Sequence, residues 1–449
     1  MRIPACALFK PSDGELNVFI QNALYITFVA SASFVLPLTA HAGTSSPELT
    51  RLVSAVLQNN PELIAIEELL QSLKHQTQQA SVWQDPSLAV EYSNMPLIDP
   101  RPGKHPMSGV HFKVQQVFPW PGKIDARKNA QSAVVRIEEE ALAEKKNQLI
   151  ALVKRTYYRL TLTRELRTLT MNHLDLVKQF IEVIRVRYEV GRVGQSDILR
   201  LEVQRDRLRD ELRDFHLRDT EFVATLNAAI RQDPGNTIST QELPQPPALK
   251  ASLNKLIESA ARSRPLLAKL SKAAYAAELK AQRFEKEGRP DLRGWVGYRM
   301  RRAVDDGDSG EDLFSAGLSI PLPWFWNDRR WGELAAAHRA TKRSIEAGHD
   351  AARYQLRGQL DAAVNRWRRM LEKAQTYEIE LVPAAQKTLE ATFAAYQVGQ
   401  SEFASLFQAE VQLLDFERTI RVAKTNALLA SIEVDTLVGA HLNLQGVNP

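Results

Sequence analysis

The sequence predicts a mainly helical protein with a small β part, built as two long helical hairpins in series, each carrying a β-hairpin. Three observations predict it. Tyr188-Glu-Val-Gly191 returns as Tyr396-Gln-Val-Gly399, and Glu202-Val203-Gln204 returns as Glu410-Val411-Gln412 at the same offset. Residues 124–190 contain neither proline nor glycine, and as one helix such a run of about 67 residues reaches about 100 Å. Ahead of each long helical run stand two segments of strand-like alternation closed by a proline-rich corner.

The chain of 449 residues is 44% hydrophobic, 25% charged and only 7% aromatic, with a formal charge of +5. Arg and Lys alternate with Asp and Glu along the helices and form no basic stripe, which argues against a nucleic-acid partner. Cys6 is the only cysteine, so disulfides and thiolate metal sites are excluded as a framework. An apolar run from Val18 to Leu38 followed by Ala40 and Ala42 predicts a signal peptide over residues 1–42, the alternative being an uncleaved anchor. Beyond it no apolar run is long enough for a transmembrane helix.

The first repeat is expected over 43–240. Thr50 is read as the cap of helical pattern running to about Ala80, which Asn60-Pro61 either splits or kinks. Strands follow at about 87–94 and 109–118 around a polar, proline-rich loop, with Val110, Phe112, Val114 and Val117 alternating imperfectly. Phe118-Pro119-Trp120-Pro121-Gly122 forms a stiff corner, whose rings suit either a membrane interface or a packed core. The long helix then runs to a tip at about 188–197. There Gly191 and Gly194 break the pattern, Ser196 is read as a cap, and Asp197 lies in the first turn of the returning helix.

A linker at 241–249, within the proline-rich stretch Asp233 to Ala248, leads to the second repeat over 250–438. Arg264-Pro265 stands for Asn60-Pro61. Strands are expected at about 292–300 and 313–320, then a corner of Pro321, Pro323 and Trp324. Pro383 predicts a kink or joint in the long helix, and the tip at about 396–405 has Gly399 as breaker and Ser401 as cap. Residues 439–449 form a tail. Two β-hairpins supply four strands, and strands cross lipid only as closed barrels; three chains supply twelve.

In this order, Asn60-Pro61-Glu62-Leu63, Asp85-Pro86-Ser87-Leu88, the Gln116 to Lys123 corner and the paired tips resemble the outer membrane factor family, the TolC-like exit ducts of tripartite efflux pumps. Within it the chain is most similar to the cobalt-zinc-cadmium and copper-silver resistance branch. The resemblance implies a homotrimer with a 12-stranded β-barrel in outer membrane lipid and an α-helical tunnel reaching into the periplasm. It also implies a periplasmic adaptor protein and an inner membrane pump, of resistance-nodulation-division type, with heavy-metal cations as cargo. Tyr188, Gly191, Gly194, Ser196, Tyr396, Gly399 and Ser401 then lie at the adaptor-facing tips. Asp197 and Glu402 are the candidate pore-tip acids, because Ser405 stands where a second Asp197 would. Glu410 is the other acid near the second tip, and for Glu402 and Glu410 alike a solvated surface is as good a reading as a place at the pore.

No cofactor and no catalytic role is expected: there is no nucleophile elbow or phosphate loop, and the histidines are isolated rather than paired for metal. Two alternatives remain, a periplasmic coiled-coil adaptor or structural protein with its β segments in compact soluble modules, and the same duct exporting organic drugs.

Overall fold

The computed structural model describes residues 46–440 apart from 96, 99, 102–104, 106, 303–309 and 323–327. The expected signal peptide, the tail beyond residue 440, and Pro323 and Trp324 of the second corner therefore lie outside the described residues.

The elements in chain order are α1 (Pro47–Asn59), α2 (Pro61–Gln79), β1 (Ser87–Ser93), β2 (Gly109–Phe118), α3 (Lys123–Glu189), α4 (Gln195–Ala229), α5 (Leu253–Ser263), α6 (Pro265–Glu287), β3 (Leu292–Arg301), β4 (Leu313–Ser319), α7 (Asp328–Thr376), a π-helical turn (Tyr377–Leu381), α8 (Val382–Gln397) and α9 (Phe403–Val438). Asn60-Pro61 splits the first helical run rather than kinking it, because extended backbone at Asn60 caps α2 while Pro61 needs no N–H partner at its start. The cap of α1 is Ser46, whose hydroxyl accepts from the Leu49 amide, not Thr50, which lies inside the helix.

The two proline joints do equivalent work. Asn60 Nδ2 donates to the Ala229 carbonyl at 2.9 Å, at the end of α4. Arg264, its counterpart, donates to the Thr436 carbonyl near the end of α9 and at 2.8 Å to Glu144 on α3. Each joint thus ties down the last carbonyls of its own repeat's closing helix, groups that a helix leaves unpaired.

α3 has 67 residues and packs against α1, α2, α4, α6 and α9, which is how so long a helix buries its stripe. Three apolar clusters stabilise the bundle. One joins α1 (Leu52, Val56) to α3 (Leu149, Val153) and the end of α4, closed by Ile238 from the linker. Its counterpart joins α5 (Ala260) to α7 (Leu360, Val364) and α9 (Val434, Leu437). The third lies toward the tips and mixes the repeats: Phe180 and Ile184 of α3, Leu201 of α4, Tyr396 of α8 and Phe403 and Leu406 of α9. The linker is strapped to the helices, since Arg164 reaches the Ile238 carbonyl at 2.6 Å and Trp367 Nε1 the Pro247 carbonyl at 3.2 Å.

Pro383 does not break the second long helix. The π turn at Tyr377–Leu381 directly precedes α8, which has proline in its first turn. A π turn takes up an extra residue without ending the helix, and the second copy does place more residues between corner and tip than the first.

The four strands form one antiparallel sheet in the order β1-β2-β3-β4. β2 and β3 pair over ten residue pairs from Gly109↔Arg301 to Phe118↔Leu292. The hairpins of the two repeats therefore share one sheet. Among the described residues β1 and β4 each have one neighbour and one free edge.

Candidate functional site at the sheet faces and hairpin tips

Strand alternation and register sort the sheet's side chains onto two faces. On one, Leu88, Val114 and Val296 align across three strands, and so do Val90, Phe112, Tyr298 and Phe314 across all four. These large apolar groups are not covered: Leu88 is 67% exposed, Phe314 74% and Leu318 72%. The imperfect alternation of β2 has a simple cause, because Val117 falls on the opposite face, across from Arg293. That opposite face carries Glu91, His111, Lys113, Gln115, Arg299 and Ser315. An apolar face with no helix on it among the described residues, backed by a polar face, is the pattern of a sheet with lipid on one side and water on the other.

At the lower end of β2, Phe118 and Trp120 are exposed, so neither ring is buried in a core. Phe118 meets Trp83 edge-on at 5.8 Å between centroids. Pro119 is half-buried and Pro121 exposed, and Gly122 adopts φ 83°, a left-handed conformation that turns the chain into α3. The corner is pinned to the second repeat at the joint between α6 and β3. The Trp120 amide donates to Asp291 at 2.9 Å, buried Lys123 pairs with Asp291 at 2.8 Å, and Arg127 grips Glu287 with two bonds of 2.5 and 2.8 Å. Sequence reasoning missed Asp291 and Glu287; their only signal is that Asp291 directly follows the repeated Pro290. In the second corner Pro321 is exposed, and Trp331 beyond it stacks on Phe284 at 6.2 Å.

Both tips are built alike. Gly191 (φ 74°) and Gly399 (φ 78°) take the left-handed conformation. Gly191 bonds back to Tyr188 and Arg192 to Arg187, as Gly399 does to Tyr396 and Gln400 to Ala395, which makes each turn a Schellman motif. The capping serines are a correction. Gly194 and Glu402 occupy the N-cap positions of α4 and α9, and neither helix has a side-chain cap there. Ser196 is already inside α4, and Ser401 precedes the cap of α9.

The tips differ in one respect. Tyr188 is 43% exposed and Tyr396 only 3%, because Arg187 of the first tip covers the second. Its guanidinium donates to the Tyr396 carbonyl at 2.9 Å and the Gln397 carbonyl at 2.8 Å, with its central carbon 4.3 Å from the centre of the Tyr396 ring. Ala395 occupies the matching place in the second repeat, so the connection runs one way. Asp197 is half-buried and Glu402 exposed; burial chiefly, with a smaller contribution from Asp197, raises the pKa of the Tyr396 phenol against the opposing pull of Arg187. Arg187 was missed because a lone arginine in a charge-rich helix carries no sequence signal.

Glu410 is a further correction: it is fully buried instead of solvated. His173 Nδ1 lies 3.0 Å from Glu410 and Nε2 3.3 Å from Glu417. Beside them Arg418 donates to Thr170 at 3.0 Å and to Glu211 of α4. Burial disfavours the charged imidazole, yet the two carboxylates outweigh it and raise the His173 pKa above 6.5. Glu417 is held below 4.5, chiefly by its bond to His173. Stabilisation from this pair is complete between about pH 4.5 and 6.5, the unfolded values, and is lost as pH rises through the raised His173 pKa or falls through the depressed Glu417 one. Replacing His173 by alanine leaves Glu410 buried without its partner, at an expected cost of about 3 kcal/mol. Thermal unfolding measured against pH checks both effects, since H173Q should flatten the decline above pH 6.5.

Among the described residues no group of His, Cys, Asp and Glu is arranged to hold a metal ion, and no helix is long and apolar enough to cross a membrane.

No family model and no curated protein matches the chain. Solved structures do. The chain is similar to the outer-membrane channel OprN at 16% identity and a TM-score of 0.71, covering 88% of this chain and 90% of that one. It is similar to CusC, described in terms of folding and transmembrane channel formation, at 15% and 0.72, covering 87% and 92%. It is also similar to the outer membrane protein VceC of Vibrio cholerae at 18% and 0.71, covering 87% and 96%. At these identities the likeness is one of fold: the chain has the mainly helical TolC-like fold, with a small open sheet and long helical hairpins.

Proposed function

We propose that this chain is the outer membrane channel of a tripartite efflux system, a passive duct with a long periplasmic extension. The observation that carries this reading is the sheet: an exposed apolar face, a polar opposite face and two free edges. Unpaired strand edges are too costly in hydrocarbon, so β4 of one chain pairs with β1 of the next until the sheet closes. Three chains give twelve strands, and β2 and β3, at ten residues each, have the length of membrane-spanning strands. The helices of three chains then continue the barrel as a tunnel, and the exposed rings of Phe118 and Trp120 sit at the membrane boundary between them.

At the far end the two Schellman turns present Tyr188, Gly191, Gly194, Ser196, Gly399 and Ser401 to a periplasmic adaptor, with Asp197 and Glu402 as the acids nearest the pore. The Arg187 bridge holds the tips together. Opening separates them, driven by an inner membrane pump of the resistance-nodulation-division type, and the duct itself does no covalent chemistry.

The resemblance of the corner and strand motifs to the metal-resistance branch favours heavy-metal ions as cargo, with organic solutes as the competing class. Accumulation of metals, dyes and antibiotics in a deletion strain and its complemented form tests this. Selective retention of metals on deletion supports the metal reading; retention of organic compounds alone overturns it and leaves the duct standing.

A further inference from the structure

The two sheet faces differ in charge as well as in polarity. On the face opposite Leu88, Val114 and Val296, register places Lys113, Arg293, Arg299 and Arg301 together with one acid, Glu91, which stands across from His111. The cations are spread along the whole length of the sheet: Arg293 pairs with Val117 near the corner, Lys113 lies mid-strand, and Arg301 pairs with Gly109 at the outer end. Lys113 is fixed on this face by its ammonium, 4.6 Å from the centre of the Trp295 ring. Glycines make room for the two rings on this face. A Cβ at Gly297 would lie 2.4 Å from His111 Nε2, and one at Gly317 2.6 Å from the Trp295 ring.

Little on the sheet offsets the charge of Lys113, Arg293 and Arg299. Among the described residues Arg293 and Arg299 form no ion pair. Asp312 accepts from the Tyr298 hydroxyl at 2.5 Å, and Tyr298 belongs to the apolar face. The acids Asp197 and Glu402 lie at the hairpin tips, at the other end of the long helices.

We infer that the barrel prefers anions: its inner wall draws negatively charged solutes and disfavours free cations. This rests on the duct reading, in which the polar face lines the lumen. Closing three copies brings the nine side chains of Lys113, Arg293 and Arg299 against three copies of Glu91 onto one low-dielectric wall, which concentrates counter-ions and repels like charge. The chemical class favoured for passage is therefore net-negative solutes, such as organic acids, or metal ions leaving as anionic complexes.

The test is the reversal potential of purified trimers in a planar bilayer under a potassium chloride gradient, with and without R187A so that the tips do not limit the current. Chloride is expected to permeate on the order of tenfold better than potassium at low salt, with the preference weakening as salt shortens the screening length. The combined K113Q, R293Q and R299Q variant should lose that preference, and the corresponding glutamate variant should reverse it. The glutamine set guards against misfolding of the charge-reversed one. Conductance that is cation-selective in the parent, or unmoved by these substitutions, overturns the inference alone. Protein that neither forms trimers nor conducts in any of these variants overturns the duct reading with it.

Discussion

Arginine in place of Val114 is expected to abolish the assembled protein, whereas arginine in place of the adjacent Gln115 should leave it nearly intact. Val114 lies in the middle of β2 on the apolar face, level with Leu88 and Val296, and it is itself 45% exposed. A charged residue facing lipid near the membrane midplane costs about 2–4 kcal/mol. Three chains incur that cost together, so the assembled barrel loses on the order of 10 kcal/mol, comparable with the whole stability of a folded domain. Gln115 is one residue away on the polar face, where water solvates a new charge. Heat-stable trimers in membrane extracts, counted for V114R and Q115R, check the pair; equal yields would mean that the faces have been assigned wrongly.

The second large effect is expected at the tips. R187A removes two charged hydrogen bonds to the carbonyls of Tyr396 and Gln397 and a cation–π contact. Those carbonyls end α8, where helix geometry leaves them unpaired and the dipole favours a cation. A bond to a charged group is worth about 1.5–3 kcal/mol when buried, and partial exposure here lowers the combined loss to about 2 kcal/mol. The balance between closed and open tips then shifts on the order of 30-fold. Single-channel recordings should show a much higher open probability for R187A. R187K, which keeps the charge but not the forked donor, should fall between. An unchanged open probability would show that Arg187 does not hold the tips closed.

Much of the architecture is legible in the sequence because it occurs there twice. Gly191 and Gly399 match through their neighbours alone, and both adopt the left-handed conformation that their repetition suggests. Proline joints and strand pairs are legible for the same reason, since punctuation by proline and glycine is local chemistry. What stays hidden depends on contacts between the copies. His173 and Glu410 are 237 residues apart in sequence yet form one buried pair, and Arg187 meets Tyr396 across 209. Trp120 finds Asp291 in the same way. Nothing local separates such residues from the many charged groups that do face water. The caps depart from expectation for a different reason: serine is a good cap in general, but Gly194 and Glu402 occupy the extended positions that start α4 and α9.

On the proposed reading, the open four-stranded sheet is one third of a closed membrane barrel. Native mass measurement of the protein extracted in detergent from outer membranes tests it most directly. Three chains per particle, converted to single chains only by heating, is the predicted result. A monomer that stays soluble without detergent would contradict it, because the apolar face of Leu88, Phe314 and Leu318 would then have no lipid to meet.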